Sequence, residues 1–473
     1  MADGAPPPEA SSRPEWKGGA LLYAGGTDYE RIGRSKPSKK EPVDTEREAA
    51  YPNLLDPTRL KALEGVRIMF VAGGSAAVHC LAGDADGNLY SWGRNEKGQL
   101  GHGDLVNRNN PKIVEELKGK HIVGGACGRH HSLVFTKDGE AFAFGLNQQG
   151  QLGIGSIKKQ TQKGAEDIHT KPVKVLVQGC TACSAGIDFS MWIANGQLYS
   201  AGNPQYGQLG DGSDHAYNAK DSSIAMVYDP QPTPTAIATF AALQVTKVAC
   251  GHNHTIAVAS DGCAYTWGNG GYGRLGHRVQ KDEFEPKKVE DLARMRISVP
   301  PHAVVAAGST STFCSASLGG SMEQLFSWGK LKTSGDNQMY PIQDQNMTGW
   351  NVRCVSCGPA HFGIAADNST ITWGQASNGE LGYGKDGKKS SANAMKCEAL
   401  EGAYTHQVAC GAGYTMFLVD PEAPQVKSAP EFECTAPEVD TGAAADEAGP
   451  SGGNKRKGAS GSGGAAKRGK GKK

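Results

Sequence analysis

The chain contains 473 residues with a formal net charge of +1; 65 residues are glycine, and aromatic side chains make up only 7%. Glycine destabilises helix interiors, so this composition disfavours a helical protein and favours a turn-rich, all-β one. The near-zero charge excludes a global field that would attract nucleic acid or an anionic membrane, so any electrostatic preference must be local.

No stretch of 18 apolar residues occurs, and no apolar stretch follows a basic amino terminus. We therefore expect no membrane insertion and no secretion, and predict an intracellular protein whose 12 cysteines are reduced. Two Cys-x-x-Cys pairs, Cys180/Cys183 and Cys354/Cys357, have the internal spacing of zinc ligands, but the pairs lie far apart in the chain. We interpret them as small buried residues and expect no metal or other cofactor.

Two kinds of β-prone segment alternate along the chain, and each kind occurs seven times. The first kind ends in Trp-Gly or a similar dipeptide, usually followed by Gly-x-Leu-Gly, as in LYSWGRNEKGQLGHGD. The second kind is a run of small and apolar residues, as in VACGHNHTIAV. Segments of the first kind start at Leu21, Leu89, Ala141, Leu198, Ala264, Leu325 and Thr370. Segments of the second kind start at Val71, Gly125, Ser184, Val248, Ala306, Val355 and Val408.

Each repeat is expected to contain an antiparallel hairpin, because Asp-Gly turns such as Asp138-Gly139 and Asp261-Gly262 join two β-prone runs. The run of small residues is expected to form the inner strand, where glycine permits close approach. One such sheet cannot bury both of its faces, whereas sheets packed radially can. We therefore predict an all-β fold consisting of a single seven-bladed β-propeller over residues 18–420.

The order of the segments predicts how the ring closes. The first kind of segment opens the series without a partner, and the second kind ends it without one. Strands near Leu21 to Ala24 and near Val408 to Val419 should therefore share one blade. Residues 1–17 and the acidic-then-basic tail over residues 421–473 are predicted to be disordered, because their composition cannot bury a core. The insertion at Ser213 to Gln244 is predicted to be a long loop or an extra hairpin.

The paired signatures, Trp-Gly with Gly-x-Leu-Gly and Cys-Gly-x-x-His, resemble those of the regulator of chromosome condensation repeat family. Strings such as NPQYGQLG and GWNVRCVSCG resemble the second branch of this family, the telophase disc proteins. The resemblance implies a seven-bladed propeller closed by its two ends. It also implies association with mitotic chromosomes, centromeres and the spindle midzone, and action on a small GTPase of the Rac or Arf type. This chain departs from the branch in its short, nearly neutral amino terminus and its basic carboxyl end.

Two glycine-rich stretches suggest nucleotide binding but are better explained by turns. Residues 268–273 match Gly-x-Gly-x-x-Gly, yet no helix is predicted after them, and another repeat has glycines in the same frame. Residues 382–389 nearly complete a phosphate-binding loop, but Lys389 stands where Ser or Thr should hold magnesium. No hydrolase motif occurs, so we expect no enzyme active site.

Histidines and tryptophans recur at fixed repeat positions. His130, His131, His252, His254 and His361 follow Cys-Gly or its equivalent, and we expect hydrogen bonds within their blades, with partner contact as the alternative. Trp92, Trp267, Trp328 and Trp373 share one position and are predicted to pack between neighbouring blades. Trp16, Trp192 and Trp350 lie outside this repeat position.

The tail contains two basic clusters with the spacing of a bipartite nuclear import signal. The same charges could bind phosphates of nucleic acid or nucleosomes, or simply keep the tail soluble. The candidate residues are Lys455, Arg456, Lys457, Lys467, Arg468, Lys470, Lys472 and Lys473.

The remaining candidates lie in the turns between strands, where rigid scaffolds usually carry binding residues. We select as partner-binding candidates Arg94, Glu96, Lys97, His130, His254 and Arg274. The leading hypothesis is a monomeric, non-hydrolytic protein of cell division that binds chromatin, the mitotic apparatus or microtubules and regulates a small GTPase, possibly by nucleotide exchange. It is expected in the nucleus, on mitotic chromosomes or the spindle, and in the cytoplasm. The alternative is a scaffold with no exchange activity.

Overall fold

A computed structural model describes residues 16–34, 44–158, 165–220, 224–295, 297–318, 323–332 and 335–441. Seven sheets of four or more strands, antiparallel except for one short parallel strand at the edge of the sheet that closes the ring, are arranged as blades around a central channel. The predicted all-β, seven-bladed propeller is confirmed. We number the blades from the one that contains the first strand.

The chain opens with β1 (Ala20–Gly25), α1 (Thr45–Ala50) and β2 (Leu54–Leu60). Blade 2 consists of β3 (Ile68–Ala72), β4 (His79–Asp84), β5 (Leu89–Gly93) and β6 (Arg108–Ile113). Blade 3 consists of β7 (Ile122–Cys127), β8 (His131–Thr136), β9 (Glu140–Leu146) and β10 (Ile168–Gln178). The region of blade 4 contains β11 (Cys180–Ala185), β12 (Phe189–Ala194), β13 (Gln197–Gly202), β14 (Ala216–Asn218), β15 (Met226–Tyr228) and β16 (Gln231–Ala236).

Blade 5 consists of β17 (Val245–Cys250), β18 (His254–Ala259), β19 (Ala264–Gly268) and β20 (Glu283–Lys288), and α2 (Glu290–Arg294) follows it. Blade 6 consists of β21 (Ile297–Ser298), β22 (Val305–Ala307), β23 (Ser311–Leu318), β24 (Gln324–Gly329) and β25 (Gln338–Gln343). Blade 7 consists of β26 (Val352–Cys357), β27 (His361–Ala366), β28 (Ser369–Gly374) and β29 (Ser391–Lys396). The last elements are β30 (Thr405–Cys410), β31 (Tyr414–Val419), α3 (Pro424–Ser428) and β32 (Glu431–Phe432). Short 3-10 turns lie at Lys61–Leu63, Glu115–Leu117, Ala238–Phe240, Gly271–Gly273, Gln345–Met347 and Glu398–Leu400.

Blade 1 closes the ring as the sequence predicts. Its sheet order is β30-β31-β1-β2, so two strands come from each end of the propeller. β1 pairs with β31 in antiparallel register from Ala20 opposite Val419 to Gly25 opposite Tyr414. The inner strands of all seven blades, which carry the small residues, contact one another in sequence around the channel.

Neighbouring blades pack where the Trp-Gly motif of one blade contacts the Gly-x-Leu-Gly motif of the preceding blade. Trp92, Trp267 and Trp328 are fully buried, and Trp328 Nε1 donates a hydrogen bond of 2.8 Å to the carbonyl oxygen of Arg274 in blade 5. The last glycine of Gly-x-Leu-Gly, Gly276, has φ +76°, and a Cβ on it would lie 3.0 Å from Trp328 Nε1. The predicted position of these tryptophans between blades is therefore confirmed, and the glycine provides the space for the indole.

The insertion in blade 4 divides into two parts. β14 and β15 form a separate two-stranded hairpin, which confirms the prediction of an extra hairpin. Residues 231–236 fall within the same predicted insertion, but they form β16, the outer strand of blade 4, which pairs with β13. An outer strand tolerates proline because only one of its edges is paired.

The predicted limits of the disordered ends are wrong for the residues next to the propeller. Trp16 stacks on His406 with ring centroids 4.0 Å apart, so residues 16 and 17 belong to the folded body. At the other end, residues 421–441 form α3 and β32 and pack along blades 1 and 2. The composition of this segment did not predict its folded structure, because its contacts are mainly hydrogen bonds made by its main chain. Residues 1–15 and 442–473 lie outside the described residues.

Candidate loop-face site

The strand order defines two faces of the propeller. In each blade the connections from the first to the second strand and from the third to the fourth lie on one face, which we call the loop face. It carries the Cys-Gly-x-x-His turns, the Gly-x-Leu-Gly turns and the hairpin β14–β15. The predicted Asp-Gly turns close hairpins on the opposite face, where Gly139 and Gly262 donate to the carbonyl oxygens of Thr136 and Ala259.

Four repeat histidines link neighbouring blades beneath the loop face. Each Nε2 lies 2.8 to 3.1 Å from a hydroxyl oxygen of the next blade, and the pairs are His79–Ser132, His131–Ser190, His254–Thr312 and His361–Thr415. In three pairs the hydroxyl donates to a carbonyl oxygen of the preceding blade, at Gln99, Gln151 and Arg274. The hydroxyl proton is thus committed, so the imidazole Nε2–H must be the donor. These bonds run between blades, not within them as predicted.

Burial keeps these imidazoles neutral. It lowers the pKa of His79 and of His131 to about 3, and it lowers the pKa of His254 well below its ordinary value. A neutral, fully buried imidazole that is already hydrogen-bonded neither transfers protons at neutral pH nor reaches a partner. The structure therefore assigns His254 to the scaffold and removes it from the partner-binding candidates.

Arg94 and Arg274 are also structural. Arg94 is 7% exposed, and its guanidinium donates to the carbonyl oxygens of Tyr29, Glu30 and Ile32 in the loop after β1. Arg274 is 6% exposed and donates to the carbonyl oxygens of Gly271 and Ser309 at 2.8 Å. Both arginines were selected as partner-binding candidates, but they are buried because loop carbonyls with no strand partner surround each guanidinium.

The other candidates, Glu96, Lys97 and His130, are partly exposed on the loop face. Glu96 pairs with Arg34 at 2.5 Å, Lys97 forms an ion pair with Glu166, and Arg129 pairs with Asp188 at 2.8 Å. His130 is partly exposed, and burial together with the charges of Arg129, Lys97, Arg94 and Arg34 lowers its pKa to about 3. The cations therefore create a positive local potential at His130, although acidic partners partly balance them.

The hairpin β14–β15, which lies in the insertion at Ser213 to Gln244, exposes apolar residues that the sequence did not single out individually. Tyr217 is 51% exposed, Ile224 88%, Met226 50% and Val227 37%. We call residues 216–220 and 224–228 the wedge hairpin. A second exposed aromatic residue, Tyr272, has Arg274 and Lys330 within 5.3 to 5.6 Å of its ring centroid. The signal for the hairpin was present in the sequence as the apolar run Ile224 to Tyr228 inside a polar insertion.

The described ranges contain no group of three or more His, Cys, Asp or Glu residues placed to hold a metal ion. Burial raises the pKa of Cys180, Cys250 and Cys410 to about 12, so these thiols remain protonated and are poor metal ligands. Within residues 268–273, Gly268 ends β19 and Gly271–Gly273 form a 3-10 turn, as the turn explanation requires. No helix in the described part of the chain is long and apolar enough to cross a membrane.

The eight basic tail candidates, Lys455 to Lys473, lie outside the described residues. The described residues define a seven-bladed β-propeller whose loop face carries buried histidines between blades, partly exposed charged turns and one exposed apolar hairpin. A family model described as the RCC1-like domain matches residues 17–361. The chain therefore belongs to the RCC1-like, or regulator of chromosome condensation, family, as its repeats predicted.

Two relatives share most of the chain. Protein RCC2 of Homo sapiens is 39% identical over 442 residues, which is 88% of this chain and 79% of the relative. The RCC2 homolog of Xenopus laevis is 39% identical and is covered to 81%. The crystal structure of Prp20p from Saccharomyces cerevisiae, described together with its binding properties to Gsp1p and histones, superposes with a TM-score of 0.63. It is 19% identical and is covered to 95%, with 91% of this chain, so it shows the fold alone.

Proposed function

We propose that this protein is a non-hydrolytic binding protein of cell division that docks on chromatin and regulates a small GTPase through its loop face. The wedge hairpin carries the proposal. It extends from the rigid ring on the loop face, and four of its apolar side chains are more than one third exposed. Apolar side chains exposed together on one element mark a protein-binding surface more often than a solvated one.

The family to which the chain belongs supports the proposed function. The yeast protein Prp20p has the same fold and is described with binding properties to Gsp1p and histones. Promoting nucleotide release requires no acid or base, because a protein that binds the nucleotide-free GTPase better than the loaded one shifts the equilibrium toward release. The buried, neutral histidines of the loop face agree with such a mechanism, since none of His79, His131 and His254 is available for proton transfer.

The test is release of fluorescent GDP from a panel of small GTPases that includes Rac and Arf types, measured with the full chain. We expect acceleration for one type, and loss of that acceleration in the variant Tyr217→Ala, Ile224→Ser, Met226→Ser. The matched control is Leu176→Ser, because Leu176 is an apolar residue with 60% exposure on the outer strand β10, away from the wedge hairpin. No acceleration across the panel would reject exchange activity. GTPase binding without release would instead establish the scaffold alternative.

The basic tail is proposed to direct nuclear import and to contact phosphates of chromatin. Its two clusters, Lys455–Lys457 and Lys467–Lys473, contain eight bases and no acid. Deleting residues 442–473 is expected to abolish nuclear retention and to reduce the salt dependence of nucleosome binding, because fewer counterions are released. Continued nuclear accumulation of the shortened chain would reject the import role. Monomeric behaviour, microtubule contact and residence on the spindle are proposed on the same family resemblance.

A further inference from the structure

The described end of the chain lies along the outer rim of the propeller. We call residues 429–441 the strap. The strap follows α3, runs beside the outer edge of β2 in blade 1, and then crosses to the segment Leu105–Asn110 at the start of β6 in blade 2. It therefore spans the joint between the blade that closes the ring and the blade next to it.

The first part of the strap adds a short parallel strand to blade 1. The amide of Arg59 donates to the carbonyl oxygen of Pro430 at 2.8 Å, and Glu431 lies opposite Arg59 in the register. The Arg59 guanidinium forms an ion pair with the Glu431 carboxylate at 2.9 Å. Phe432 is partly buried against the hydrophobic cluster shared by blades 1 and 2.

The second part binds to asparagine side chains in place of a strand. The Asn110 amide group donates to the carbonyl oxygen of Cys434 at 2.8 Å and accepts from its N–H at 3.0 Å. Asn109 donates to the carbonyl oxygen of Ala436 at 3.0 Å. The N–H of Asn107 donates to the carbonyl oxygen of Val439 at 2.9 Å. These contacts recognise main-chain groups, as in the addition of a peptide strand to a sheet edge.

Two strap side chains add chemical selectivity. Cys434 is buried, with its thiol 3.6 Å from the carbonyl oxygen of Ala50, so this position accepts only a small side chain. Four residues later, the Glu438 carboxylate lies 3.6 Å from Nε of Arg108, whose side chain is 6% exposed. The strap therefore places a small residue, buried in the rim, four positions before an acidic residue that pairs with Arg108.

The strap is weakly held compared with the blades. Cys434 is its only buried residue, whereas every residue of β31 is buried. Segments with few buried apolar contacts open at much lower free energy than core strands. We propose that the rim of blades 1 and 2 is a peptide-binding groove, occupied here by the strap and open to a partner's extended acidic segment of the same pattern when the strap leaves. This groove is separate from the loop face.

The test uses a fluorescent peptide of residues 429–441 and full-length chains under reducing conditions. Cys434→Lys places a long charged side chain in the buried position and should empty the groove. We expect the peptide to bind this chain at least tenfold more tightly than the wild type, in which the strap competes. Adding Asn110→Ala should weaken peptide binding at least tenfold. Adding Asn393→Ala, an exposed asparagine on the outer strand β29 of blade 7, should leave it unchanged.

Three results would overturn the proposal: no binding to the Cys434→Lys chain, equal binding to both chains, or no effect of Asn110→Ala. Hydrogen exchange on the wild-type chain provides a second measurement that needs no emptied groove. The amides of Cys434 and Thr441, which donate to Asn110 Oδ1 and to the carbonyl oxygen of Leu105, should exchange at least tenfold faster than those of β31. Equal protection of both would show that the strap does not leave, and would reject an exchangeable groove.

Discussion

His131 Nε2 lies 2.9 Å from Ser190 Oγ, and both side chains are fully buried between blades 3 and 4. Replacing His131 by Ala removes this hydrogen bond and leaves a cavity, so we expect a loss of about 2 to 4 kcal/mol in the free energy of unfolding. Denaturant unfolding measures it. The control is His302→Ala, because the His302 side chain is 75% exposed and its surface pair with Glu323 should contribute less than about 1 kcal/mol. Equal stabilities of the two variants would contradict the role of His131.

The same histidines predict a loss of stability in mild acid. In the folded chain the pKa of His79 and of His131 is about 3, below the ordinary 6.5, so between these values only the unfolded chain binds the protons. Full stability is therefore present above pH 6.5 and falls as the pH drops toward 3. At pH 5 each histidine should cost about 2 kcal/mol.

Thermal midpoints at pH 7, 6 and 5 test this prediction, together with the imidazole resonances of His79 and His131. The midpoints should fall with the pH while both resonances stay those of neutral rings. A midpoint that is constant from pH 7 to 5, or rings that titrate near 6.5 in the folded chain, would reject the assignment.

The repeat explains what could be predicted from the sequence. Residues such as Trp267 and Val248 recur in one frame, so their place in a blade follows from the pattern. The burial of Arg94 could not be predicted, because it depends on the irregular loop after β1 that supplies its three carbonyl acceptors. Trp192 lies outside the repeat position, yet it packs on Gly153 of blade 3, beside Ala201 where other blades have tryptophan. Trp192 thus fills, from strand β12, the space that the repeat tryptophan fills from the third strand in other blades.

Gly276 should tolerate a side chain worse than other glycines with positive φ. Its φ is +76°, and a Cβ would lie 3.0 Å from Trp328 Nε1, an atom held by its bond to Arg274. Gly349 has a similar φ of +86° with nothing within 4 Å of a Cβ. Both Gly→Ala changes strain the backbone by about 1 kcal/mol. We expect Gly276→Ala to cost about 1 to 3 kcal/mol more than Gly349→Ala, because the indole must move. Equal losses in denaturant unfolding would show that the contact is unimportant.

Removing β1, which helps to close the ring, should cause the largest loss of stability among these changes. β1 provides Leu22, Tyr23 and Ala24, which are all fully buried, and it pairs with β31 on one side and β2 on the other. A chain that starts at Glu48 lacks β1, so blade 1 would lose its third strand and β2 its only antiparallel neighbour. We expect a loss of at least about 5 kcal/mol from the missing apolar burial alone, seen as a lower thermal midpoint. A chain that starts at Trp16 keeps β1 and serves as the control. If both chains melt at the same temperature, the two ends of the propeller do not hold the ring closed.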